Sequence, residues 1–293
     1  MTFITFGQSY AKIRERKMKK LFLVALCAMG MLRWAAAQES TVIEKYADRQ
    51  INGVIVSGAF DVQLAQADGG SKKAGAKVEI ERELADKLVF EITDEGYVRL
   101  TFKNDMTKYF TRSAKKPQAW ITVSELKYLN VTGASTVVCT GVCSTRGDLR
   151  LLTSGNAAVE LLEASAETLH ADLSGTSGVN DAKLTVNGRA EVIQSGTSKL
   201  KAEMKAGTAT ITVSGVSGMT LSGGAEEATV EAGGTSSADL EAFTIGTIRA
   251  TVTGMGKVKA CVMGGGTAEV SSMGSFRYTG SGLVTGKGVK RLD

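Results

Sequence analysis

Two stretches decide the fold: Ala171-Asp-Leu-Ser-Gly-Thr-Ser-Gly-Val179 and Ile211-Thr-Val-Ser-Gly-Val-Ser-Gly-Met219. Each places an apolar residue four positions before a glycine and another four positions after it. Working outward from them, the same pattern marks Gly133, Gly155, Gly175, Gly196, Gly215, Gly234, Gly254 and Gly274, separated by 22, 20, 21, 19, 19, 20 and 20 residues. A period that steady over eight copies is the signature of a stacked repeat.

The columns around the markers say how the copies stack. Four residues before stand Leu129, Leu151, Ala171, Val192, Ile211, Val230, Ala250 and Val270; four after stand Val137, Val159, Val179, Leu200, Met219, Ala238, Val258 and Tyr278. Six after come Cys139, Leu161, Asp181, Ala202, Leu221, Leu240, Ala260 and Gly280. Columns two residues apart describe a strand with one buried face. A unit of about 20 residues cannot bury that face alone and becomes stable when copies stack. The expectation is all-β, a parallel β-helix over 129–293, with small residues such as Ser174-Gly175 and Ser214-Gly215 stacked at a corner. An antiparallel sandwich is disfavoured, because its hairpins vary in length and lose the constant phase.

Thirty-four glycines beside one proline and one histidine suit short strands and tight turns. The formal net charge of +5 is misleading, since seven of the 35 basic residues lie in the first 37 positions against one acid, Glu15. The remainder is nearly neutral and points to neither nucleic acid nor an anionic membrane. That leading stretch reads as a signal peptide: basic Arg14–Lys20, apolar Leu21–Leu32, and small residues Ala35-Ala-Ala37. Met18 is an alternative start. The apolar run is too short for a permanent membrane span, and cleavage after Ala37 predicts a periplasmic, surface-bound or secreted protein.

Residues 38–128 form an N-terminal β-rich region, with alternating runs from Ile51, Val78, Leu88 and Val98 and a turn or bulge at Gly58. Met106–Pro117 is irregular. Lys108, Tyr109, Phe110, Arg112, Lys115 and Lys116 there form a candidate binding patch for an acidic glycan or surface, set against the plainer reading of a solvated excursion.

Catalytic chemistry is hard to find. Asp148, Glu160, Asp172, Asp181, Glu191, Glu203, Glu231, Asp239 and Glu269 fall in the coils at differing offsets, which reads as a solvated face. His170 has no second histidine to share a metal. Serines beside the glycines are corner residues without a strand–elbow–helix context, and Gly264-Gly265-Gly266 reads as a turn. No catalytic residue, cofactor or metal site is expected. Cys139 is a core residue, and it reaches Cys143 only if the chain reverses at Thr140-Gly141.

Ile51-Asn-Gly-Val-Ile-Val-Ser-Gly-Ala-Phe-Asp-Val-Gln-Leu64, Gly96-Tyr-Val-Arg-Leu100, Trp120-Ile-Thr-Val123 and Leu129-Asn-Val-Thr-Gly-Ala-Ser135, followed by Ser-Gly-x-Ser coils, carry a resemblance. In that order they are similar to the putative auto-transporter adhesin head GIN domain family, from about residue 48 onward. The resemblance implies an exported, right-handed β-helix of the bacterial envelope with a role in adhesion and no catalytic residues. The sequence here closes at Gly286–Asp293 without the strands of a membrane barrel, so self-transport is not expected. The leading expectation is a non-enzymatic adhesin or binding module for glycan or protein. A glycan-active enzyme of the polysaccharide-lyase type and a passive structural envelope protein are the alternatives.

Overall fold

The computed structural model describes residues 40–68, 70, 73–104, 115–271 and 273–292. The expected signal segment, and Lys108, Tyr109, Phe110 and Arg112 of the candidate patch, lie outside them. Over the described residues the repeated stretch is a parallel β-helix. The strand Lys199–Val213 pairs in parallel along its length with Gly218–Ala232, which pairs with Ser237–Val252, which pairs with Lys257–Val270.

The column four residues past the markers explains why the coils hold. Val137, Val159, Val179, Leu200, Met219, Ala238 and Val258 are all 4% exposed or less. Each aliphatic side chain buried in this way contributes about 1.5–3 kcal/mol. Most outward neighbours in these strands are polar, charged or small, and the alternation fixes the register.

The corner depends on glycine. Gly196, Gly215 and Gly234 have φ of 69°, 72° and 67°, in the left-handed region that side chains disfavour. The next amide donates to the glycine carbonyl one coil back, Val216 to Gly196 and Thr235 to Gly215, both at 2.8 Å. Two residues past the corner a buried serine satisfies another carbonyl: the Ser198 hydroxyl donates to Leu173 at 3.3 Å and the Ser236 hydroxyl to Val213 at 3.0 Å. These serine hydroxyls are thus engaged within the corner.

The structure corrects the columns in three places. Leu161 and Asp181 do not face inward: both have left-handed φ, 56° and 52°, and Leu161 is half exposed. Each is an extra residue in its rung, and the next residue, Leu162 or Ala182, takes the buried position at 1% or 3% exposure. Gly274 lies two residues past the corner, since Val270 pairs with Val252 and Phe276 with Val258. Phe276, not Tyr278, therefore fills the column four past the corner. Gly264-Gly265-Gly266 is no reversal, because it lies within the strand Lys257–Val270.

The ladder also begins earlier than residue 129. Strands Gly53–Gly58 and Asp61–Gln66 form a coil of their own, pairing in parallel with Tyr128–Gly133 and Thr136–Thr140. On its other side they pair with Tyr97–Phe102 and Gln118–Val123. The chain thus makes one coil, leaves it to build the strands stacked beyond it, and returns at 124–127 to resume the series. Beyond Gln118–Val123, the strands Gly75–Glu81 and Ser40–Lys45 continue the sheet antiparallel. A one-turn helix, Arg82–Ala85, inserts Leu84 into the core. Residues 40–293 form one compact unit.

Candidate functional site

Where the returning segment 124–127 passes the coil corners, it leaves an open groove of about 740 Å³. Gln50, Gln66, Glu125, Arg146, Glu167 and Asn187 line it, with serine hydroxyls between them. Gln50 leads into the first coil, Gln66 ends its second strand, and the returning segment supplies Glu125. Successive coils supply Arg146, Glu167 and Asn187, the latter two from consecutive turns, since the Asn187 amide donates to the Glu167 carboxylate at 3.4 Å.

Two of these side chains are fixed by the backbone. The Gln66 amide donates to the Ser144 carbonyl at 3.1 Å and accepts from the Ser144 amide at 2.6 Å, acting as an added rung. Glu125 accepts from the Thr145 hydroxyl at 2.7 Å and the Arg146 amide at 3.0 Å, with Lys127 at 3.1 Å. Desolvation pushes its carboxyl up, but those hydrogen bonds and the Lys127 charge outweigh it and hold the group below its usual range. The groove therefore contains an ionised acceptor and not a protonated acid. Arg146 is exposed and has no ion-pair partner among the described residues.

Of the patch expected from sequence, the described members are Lys115 and Lys116. Lys115 is exposed. Lys116 is engaged within the fold, donating to the Ala134 carbonyl at 2.7 Å and lying 3.5 Å from Asp61. His170 sits half-buried on an outer face, its Nδ1 2.9 Å from Glu191 Oε2 on the neighbouring rung. No group of three or more His, Cys, Asp or Glu able to hold a metal comes together among the described residues. Gly141 does take the left-handed conformation needed to bring Cys143 back toward Cys139, with φ 86°, yet both thiols are free and buried. Burial raises both, and Cys143 is pushed up to about 11. The sequence reading missed the groove because its walls come from segments as far apart as residues 50 and 187, with no local motif; Gln66, placed just past an alternating run, was its one local trace.

The fold is a β-solenoid with an open polar groove on its side. The chain belongs to the family described as "putative auto-transporter adhesin, head GIN domain", whose model matches residues 51–187 and 176–282. Among solved structures it is similar to a putative adhesin from Parabacteroides distasonis, at 18% identity and TM-score 0.62, covering 87% of this chain and 97% of that one. A putative adhesin from Parabacteroides merdae aligns at 17% identity and TM-score 0.58, over 87% and 96%. A protein of P. distasonis titled a putative lipid binding protein aligns at 16% and 0.59, over 87% and 97%. At such identities the likeness shows the fold alone. No curated protein sequence matches the chain. No helix among the described residues is long and apolar enough to cross a membrane.

Proposed function

We propose that this protein is an exported, non-enzymatic binding module of the bacterial envelope that holds a hydroxyl-rich glycan in the groove at Glu125 and Arg146. The observation that carries this reading is the state of Glu125. Glycoside hydrolysis needs a carboxylic acid whose pKa is raised so that it can protonate the leaving group. Here the hydrogen bonds from Thr145 and Arg146 push the other way and leave an acceptor for sugar hydroxyls. Arg146 and Asn187 supply donors beside it, and amide, guanidinium and carboxylate groups together match the paired donors and acceptors of adjacent hydroxyls. Family membership and the likeness to structures described as putative adhesins support a binding role outside the cell.

A glycan array followed by calorimetry tests it. Arg146→Ala and Asn187→Ala should each weaken binding roughly tenfold or more, the cost of losing a hydrogen bond from or to a charged group, with melting unchanged. New reducing ends or unsaturated products would contradict the reading, as would binding untouched by both substitutions.

A further inference from the structure

The last coils carry an excess of positive charge. Between Arg249 and Asp293 the sequence holds seven basic residues and two acidic ones, although the chain beyond residue 37 is nearly neutral. The topology gathers several of these on one face. Lys259 pairs with Arg277, and Arg277 with Lys290, on three successive rungs, with Lys257 two residues before Lys259 on the same side. All four are exposed.

Rungs lie about 4.8 Å apart, so like charges directly opposite one another are destabilising. Some cations elsewhere on the outer faces are matched, Lys201 with Asp181 at 3.0 Å, Arg99 with Glu91 at 3.0 Å and Lys77 with Glu44 at 3.5 Å, while among the described residues others, such as Arg146, are not. In the last coils Lys259 has Glu241 at 3.3 Å on the rung before it. Lys257, Arg277 and Lys290 have no ion-pair partner among the described residues. Charge on the terminal strand Val289–Arg291 would by itself serve to keep a sheet edge from pairing with another chain. That role does not account for Lys259 and Arg277, which lie on interior rungs.

Apolar side chains flank the cations on the same coils. The outward-facing positions of one coil read Met255, Lys257, Lys259, Cys261, Met263, and those of the next read Met273, Ser275, Arg277, Thr279, Ser281, Leu283. Met255, Met263, Met273 and Leu283 are 46%, 48%, 76% and 67% exposed, half of all the large apolar residues exposed on the described protein. One coil earlier the matching outward positions are Thr235, Ser237, Asp239 and, past a bulge, Thr244, so the change of character is abrupt.

We propose that the last two coils dock on an anionic lipid bilayer, the cations meeting headgroup phosphates while the methionines and Leu283 enter the interface. A basic strip edged with exposed apolar groups is the combination that binds such surfaces, each part insufficient alone. Nucleic acid is a poorer match, because this face presents no outward aromatic for base stacking; Phe276 and Tyr278 point inward. The surface is separate from the groove at Glu125.

Co-sedimentation of the exported protein with vesicles tests this, using phosphatidylcholine mixed with phosphatidylglycerol and phosphatidylcholine alone. Binding is expected to the mixed vesicles only, weakening with salt. Lys259→Ser with Arg277→Ser should cost roughly thirtyfold, from the charge lost at the surface. Met255→Ser with Met273→Ser should also weaken binding while leaving its salt dependence intact. All four positions substituted are exposed, the folding of each variant is checked by melting, and Arg146→Ala, which addresses the groove, should leave vesicle binding unchanged. Equal binding to neutral vesicles, no binding to either, retention by both double variants, or binding of the basic strip to a soluble acidic polysaccharide in place of vesicles would overturn the proposal.

Discussion

Gly215 and Gly218 lie three residues apart in one coil, and the structure assigns them opposite responses to the same substitution. A Cβ on Gly215 would sit 2.6 Å from the Gly196 carbonyl oxygen and 2.9 Å from its amide nitrogen, both backbone atoms of the coil beneath. Valine there must also hold φ near 72°, at a cost of about 1–2 kcal/mol. Relieving the overlap means lifting one coil off the other by most of an ångström, which stretches the Val216 to Gly196 hydrogen bond, worth about 1 kcal/mol. With the packing lost around it, Gly215→Val should destabilise by about 3–5 kcal/mol. For a chain of this size that lowers Tm by roughly 10 °C. Gly218 has nothing within 4 Å of its would-be Cβ and no left-handed φ. Gly218→Val should therefore melt within a few degrees of wild type, or slightly higher, since valine favours strands. Scanning calorimetry on both variants decides the matter. A Gly215→Val protein that melts like wild type, or two variants equally damaged, would refute the stacked corner.

Other outcomes follow from the same coordinates. Phe243→Ala empties a fully buried site and should cost about 3–5 kcal/mol, read by denaturant titration. Glu125 has a lowered folded pKa, so its contribution is present above the ordinary carboxylate pKa and lost as pH falls through the folded value. Glu125→Gln should accordingly be less stable than wild type near neutral pH, with the gap closing on acidification; a gap that widened in acid would contradict the assigned hydrogen bonds. Cys139 and Cys143, buried and with raised thiol pKa, should resist maleimide at pH 8 until the protein is unfolded. Rapid labelling of either in the native state would place it outside the core.

The repeat was legible because stacking acts on every coil alike: a side chain that must fit between two copies of itself leaves a column in the sequence. The exceptions arise where a local backbone change substitutes for a side-chain rule. Leu161 and Asp181 sat at the expected offset, but one extra left-handed residue moved the buried position by one. Gly274 looked like a corner only because a glycine happened to stand two residues beyond the true one. The first coil could have been recognised, since Val54, Gly58, Val62 and Leu64 keep the same offsets as the later coils; the 75-residue interval to Gly133 hid it from a search for a period of about 20. The groove and the cationic strip were illegible for a different reason. Their members meet across rungs, and only the pairing of Lys259 with Arg277 and Lys290 turns scattered charges into one surface.

Cross-linking between distant rungs tests the central claim most directly. Ile55 and Asn130 are 75 positions apart in sequence and adjacent in register, while Leu152 pairs with Asn130 on the far side. Neighbouring parallel strands bring Cα atoms to about 4.8 Å, inside disulfide range, whereas two rungs exceed it. Oxidised Ile55→Cys with Asn130→Cys should yield that disulfide in high proportion by peptide mass mapping, and Ile55→Cys with Leu152→Cys should not. A cross-link from 55 to 152, or none from 55 to 130, would contradict the order in which the coils are stacked.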